Sequence, residues 1–157
     1  MAETSHSGRG LWSVLLIAAT LVFAAAAARA DEVPIAQIKT ATAPAFVLRG
    51  SGKIPAQPGA MLFEKDVLQT DAGGAIGITF TDNSVLSLGP SSEAALAEYS
   101  FDSSNFKGSM LTDLRSGTLS MVSGDIARSS PSAMKVHTPT AILGVRGTSF
   151  AVEVRGH

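Results

Sequence analysis

Ile76, Ile78 and Phe80 alternate with Ala75, Gly77 and Thr79, and the alternation resumes from Ser84 through Val85, Leu86, Ser87 and Leu88. A period of two puts every second side chain on one face of an extended chain, so these runs fit half-buried strands and not helices. Between them stand Asp82 and Asn83, which tolerate the positive φ angles of a tight two-residue turn, so residues 74–88 are predicted to form a β-hairpin. Gly89-Pro90-Ser91-Ser92 closes it.

The same pattern extends in both directions. Residues 31–40 hold Val33, Ile35 and Ile38 around Pro34 and read as a frayed first strand. Ala45 to Leu48 is a short apolar run ended by Arg49-Gly50-Ser51-Gly52, after which Pro55, Pro58 and Gly59 punctuate the chain. Met61 to Phe63, and then Val67 and Leu68, precede a turn at residues 70–74. Glu93 to Tyr99 reads as a strand despite Ala94, Ala95 and Ala97, because so short a helix is not stable alone. Phe101 to Ser109 is predicted to be a loop that Phe101 and Phe106 pin to the core. Met110 to Leu114, Gly117 to Val122, Met134 to Thr138 and Thr140 to Val154 read as strands, and Ser129-Ser130-Pro131-Ser132 as an exposed loop. Roughly eight to ten short strands, with turns every 8–12 residues or so, make the fold all-β: a compact stack of short strands, solenoid-like or sandwich-like.

Residues 1–30 follow a different rule. Arg9 precedes an uncharged apolar run, Leu11 to Ala28, and Ala28-Arg29-Ala30 has the small-x-small form read by signal peptidase. Residues 1–30 are therefore predicted to be a signal peptide, with residues 31–157 as one exported domain in the periplasm. Cleavage is favoured over an uncleaved inner-membrane anchor because the second half of the run is mostly Ala, which drives insertion weakly. The processed chain is then not membrane-spanning.

Removing Glu3, Arg9 and Arg29 with the leader moves the formal net charge only from −1 to −2. No basic stripe remains, so nucleic acid is not an expected partner. The sequence has no Cys, which rules out disulfides, a thiol nucleophile, Cys-ligated zinc and a lipoprotein anchor.

Candidate chemistry is sparse. His137 and His157 have no second ligand at metal-site spacing, and His137, between Val136 and Thr138, is expected to face solvent or make one hydrogen bond. No Ser lies in a G-x-S-x-G elbow. Glu64 and Asp66 would share a strand face, but Lys65 between them makes a solvated strand edge the better reading. Gly73, Gly74 and Gly77 lack the following helix that a phosphate loop needs. No catalytic, cofactor-binding or metal-ligating residue is assigned, and the chain is not expected to be an enzyme.

Lys135 to Val154 interrupts its apolar run with Pro139, Gly144, Arg146 and Gly147. Thr138-Pro139-Thr140-Ala141, the corner Gly144-Val145-Arg146-Gly147-Thr148, and then Phe150 and Val152 resemble the signature of the FecR domain family. Upstream, Asp82-Asn83-Ser84 is similar to that family's D-G-S turn, with Asn83 in place of Gly. Leu88, Pro90 and Ser92 resemble its L-x-P-x-S segment, and Leu114 with Gly117 its L-x-x-G segment. The resemblance covers residues 66–154 and implies a non-catalytic periplasmic binding or scaffold module acting on another cell-envelope protein, with an exposed sheet edge as the contact. A sensor that binds a small ligand or glycan and relays to a separate membrane protein is the alternative. The latter needs aromatic residues exposed in a groove. Members that regulate iron uptake add an anti-sigma segment, a membrane helix and a receptor-contacting domain. With a signal peptide in front, the sigma-factor and receptor roles are not expected here. The Arg146-Gly147-Thr148 corner is expected to be a structural bulge with an outward Arg. Partner identity and oligomeric state are left open by the sequence.

Overall fold

The computed structural model describes residues 32–145 and 149–155, which form twelve strands and one short helix. The fold is all-β, as the alternation requires. In β6 (Ala75–Phe80) and β7 (Val85–Leu88), Ile76, Ile78, Phe80, Leu86 and Leu88 are buried, while Thr79, Val85 and Ser87 face outward. The two strands pair antiparallel. The turn between them has three residues rather than the expected two. Phe80 N–H bonds Ser84 O, Asn83 N–H bonds Phe80 O, and Asn83 alone takes a left-handed conformation with φ 63°. This is the three-residue hairpin whose last position favours a residue that accepts positive φ.

β1 (Ala36–Thr42) is not frayed. It pairs with β6 and with β4 (Met61–Leu62), and it buries Ala36 and Ile38, with Ile35 buried just before it. Its outward Lys39, Thr40 and Thr42 give it a polar look in the sequence. β2 (Ala45–Arg49) turns at Gly50 and Ser51 into β3 (Gly52–Pro55), a strand that its Gly and Pro content disguised. β5 (Val67–Thr70) pairs with β2 on one side and with β8 (Glu93–Asp102) on the other. β8 buries Ala94, Ala95 and Leu96 in succession, and its register with β9 shifts between Glu93 and Ala94 and again between Leu96 and Glu98.

β9 (Lys107–Val122) organises the molecule. Two separately predicted strands are one continuous strand. Up to Ser116 it pairs with β8, and from Gly117 onward with β7 and with β12 (Ser149–Val154). Gly117, at φ +82°, stands where the pairing changes, so one curled sheet wraps a single core that includes Leu62, Leu68, Leu96, Leu114, Leu119 and Met121. Residues 101–109 are mostly strand rather than loop, because β8 and β9 run on as a hairpin to Asp102 and Lys107. Phe101 packs against the core as expected, but Phe106 is exposed.

After β9, the short helix α1 (Asp125–Ser129) carries the chain back alongside it, with Ile126 buried. This region contains no apolar periodicity that would have announced a helix. The crossover makes β10 (Met134–Thr138) run parallel to β9, and β11 (Ala141–Gly144) folds back on β10. The predicted strand at 140–154 is thus two strands, and Pro139 sits in the turn before them rather than inside one.

Candidate functional site

Asp82 is fully buried at the hairpin tip, and its carboxylate collects donors from three elements. Oδ1 accepts Ser84 N–H at 3.1 Å, and Oδ2 accepts Ser84 Oγ–H at 2.7 Å and Ile126 N–H at 3.3 Å. The phenol of Tyr99 on β8 accepts the N–H of Asp82 at 3.0 Å and lies 3.4 Å from its Oδ1 and 2.8 Å from Thr81 Oγ1. Its ring stacks on Phe80 at 5.3 Å. Burial pushes the Tyr99 hydroxyl up to about 12. Gly124 N–H bonds Ser84 Oγ at 2.9 Å, Asp125 N–H bonds Asp82 O at 2.8 Å, and Asn83 Nδ2 reaches Asp125 at 3.0 Å. A Cβ on Gly124 would stand 2.5 Å from Ser84 N, so only glycine lets α1 close on the hairpin. The Asp-Asn-Ser segment is therefore a latch that joins hairpin, β8 and α1. Its acidic group is spent on backbone and hydroxyl donors, not exposed for chemistry.

Thr138 and Pro139 form the β10–β11 turn. Thr138 Oγ1 accepts Ala141 N–H at 3.0 Å and lies 3.1 Å from Ala141 O, closing the two-residue loop Pro139-Thr140. Gly144 ends β11 with open space where a side chain would be. Arg146, Gly147 and Thr148 lie outside the described residues. Phe150 and Val152 on β12 pack partly against the core. Ser149 pairs with Val122, which also pairs with Val85, so the start of β12 lies at the same end of β9 as the Asp82 latch.

His137 is half-exposed, with Nδ1 3.0 Å from Asp113 Oδ1, the single hydrogen bond expected of it. His157 lies outside the described residues. Among the described residues no His, Cys, Asp and Glu group could hold a metal ion, and no helix is long and apolar enough to cross a membrane. The expectation from the sequence that no Ser lies in a Ser-x-x-Lys pair is wrong as to spacing, because Ser104 with Lys107 and Ser132 with Lys135 both have it. Neither forms a dyad: Ser104 Oγ donates to Asp102, and Ser132 and Lys135 are exposed, on a loop and a strand, with no bond between them.

Asp66 corrects the reading of its segment as a solvated edge. It is 1% exposed, and its carboxylate takes Arg49 Nε at 2.8 Å, Arg49 Nη2 at 2.7 Å and Phe63 N–H at 2.9 Å. Glu64 instead accepts Tyr99 N–H at 3.2 Å, so the two carboxylates serve different partners. Sequence reasoning missed Tyr99 and Gly124 in the latch; the lone tyrosine of the chain was the only available hint.

β11 is apolar and exposed along its whole length. All four of its residues are exposed, Ile142 to 67%. Val145 N–H donates to Met134 O, and by the alternation of an antiparallel ladder Ala141 and Leu143 also spend their backbone groups on β10. Ile142 and Gly144 turn theirs to the outer side, where among the described residues no strand pairs.

Residues 66–157, more than half of the chain, match the family model described as FecR protein. No curated protein and no solved structure gives a match.

Proposed function

The chain belongs to the FecR family, and on that premise we propose that it is a non-catalytic module of the cell envelope that binds another envelope protein in the periplasm, by pairing a strand of that protein with β11. The observation that carries the reading is the free side of β11, where Ile142 and Gly144 direct backbone groups outward. Among the described residues the other sheet edges are guarded: β3 carries Lys53 and Pro55, β4 is two residues long, and β12 carries Glu153. Charge, proline and shortness are the devices that blunt an edge, and Ala141-Ile142-Leu143-Gly144 has none of the first two. An added strand would gain main-chain hydrogen bonds from such an edge, with side-chain contacts to Ile142 and Leu143 giving selectivity.

Ile142→Pro tests this. It removes an N–H that points away from β10, so the internal ladder is untouched and proline is tolerated at such an edge position. Recovery of the bound envelope protein after crosslinking in cells is expected to be lost, with the melting temperature nearly unchanged. Equal recovery with the folded variant would overturn the reading.

A further inference from the structure

The β8–β9 hairpin ends in the turn Ser103 to Phe106, and this turn is held rigid from inside. Asp102 Oδ1 accepts Ser104 N–H at 2.9 Å and Ser104 Oγ–H at 2.6 Å, and Oδ2 accepts Asn105 Nδ2–H at 2.7 Å. Asn105 Oδ1 accepts Lys107 N–H at 2.8 Å, and Ser129 Oγ at the end of α1 donates to Phe106 O. Within this fixed loop Phe106 has φ 59° and is 54% exposed. That backbone conformation suits glycine or asparagine, as at Asn83, and is rare for an aromatic residue. The ring is not among the residues packed against the core. Folding thus gains less from phenylalanine here than at a core position, and it carries backbone strain to keep it, the pattern seen where a residue serves recognition.

We propose that Phe106 is an anchor residue that inserts into an apolar pocket on the surface of a partner protein. A single aromatic side chain projecting from a rigid loop, rimmed by Ser and Asn, has the composition of an interface hot spot. Ser104 and Asn105 already donate to the Asp102 carboxylate, so docking strips little water from unpaired groups, and the hydrogen-bonded turn leaves little entropy to lose. A lipid surface fits less well. The Ser104 hydroxyl holds the Asp102 carboxyl below the usual carboxylate range, so a charged carboxylate would follow the ring into the bilayer, and Lys107 is the one cation in the turn's immediate sequence. By strand register, Lys107 lies four residues before Leu111, which leads through Lys135 to Gly144. The tip is therefore about 13 Å along and about 10 Å across from the β11 edge, within reach of one interface of ordinary size. The anchor stands without the edge reading.

The test places a photo-crosslinking residue at Ser103 in the full chain expressed in cells. A discrete adduct with a different protein is expected. Phe106→Gly and Phe106→Ser should reduce it by about tenfold or more, and Phe106→Trp should retain it. Phe106→Gly should also raise the melting temperature by relieving the left-handed strain, which separates loss of binding from loss of fold. The anchor is overturned by an adduct indifferent to Phe106, by the absence of an adduct, by an adduct only with lipid or a second copy, or by a Phe106→Gly chain that is no more stable. Adding Ile142→Pro distinguishes the two readings: an adduct lost with Phe106→Gly but kept with Ile142→Pro sinks the edge reading alone, and the reverse sinks the anchor alone.

Discussion

Gly117 leaves the space that Ser92 occupies: a Cβ at residue 117 would stand 2.5 Å from both Cα and Cβ of Ser92. Ser92 Oγ accepts Thr118 N–H at 2.9 Å and lies 2.9 Å from Pro90 O, so it stitches the β7–β8 connection to β9 at the point where β9 changes partners. Gly117→Ala meets both the clash and the positive φ. It is expected to destabilise the domain by about 3 kcal/mol. A loss below about 1 kcal/mol in a urea unfolding curve would show that the crossing relaxes easily.

Thr112 on β9 is 1% exposed between Leu96 and Val136, and its hydroxyl is the one buried side-chain polar atom among the described residues with no hydrogen-bond partner. Thr112→Val keeps the shape and removes the unmet hydroxyl. Stability is expected to rise by about 1 kcal/mol, read as a higher melting temperature. A lower one would reveal a partner for the hydroxyl.

Strands were legible wherever one face is buried and the other wet, as in β6, β7 and β10, because alternation then writes the fold directly into the sequence. It failed in three physical situations. The continuity of β9 was hidden by Gly117, which reads as a break but serves as a crossing. β3 was hidden by its own edge-protecting Lys and Pro. α1 was hidden because five residues cannot display a helical period. The candidate site was partly legible: Asp82-Asn83 was recognised as a turn, but its burial depends on Tyr99 and Gly124, which are distant in sequence. Nothing local distinguishes Asp66, which is buried, from Glu64, which is not.

Arg49 and Asp66 form a bidentate pair in which Asp66 is buried and Arg49 is 37% exposed, with the guanidinium 4.5 Å from the Phe63 ring. Arg49→Met keeps the apolar stem and strands the carboxylate. The expected loss is about 2 kcal/mol, below that of a fully buried pair because solvent reaches the arginine. Arg49→Lys recovers only part, since an ammonium cannot grip both oxygens. Adding Asp66→Leu to Arg49→Met should restore much of the stability by removing the unpaired charge. A double variant no better than Arg49→Met would place the loss in packing against Phe63.

Tyr99 gives the fold an alkaline limit. Burial raises its hydroxyl from the ordinary value near 10 to about 12, opposed by the Thr81 hydrogen bond and reinforced by the Asp82 charge. The folded chain therefore holds this proton more tightly than the unfolded chain does. Below pH 10 both states are protonated and the contribution is complete. Between pH 10 and 12 the unfolded state ionises first and stability falls, and above 12 the contribution is gone. The chain has one tyrosine, so its tyrosinate absorbance reports this residue alone. The titration midpoint is expected near 12 in the folded protein and near 10 in urea. Tyr99→Phe should remove this part of the alkaline loss of stability. At neutral pH it should cost about 1 kcal/mol, because the buried N–H of Asp82 loses its acceptor. A folded-state midpoint near 10 would mean that solvent reaches the phenol and that the latch is open around it.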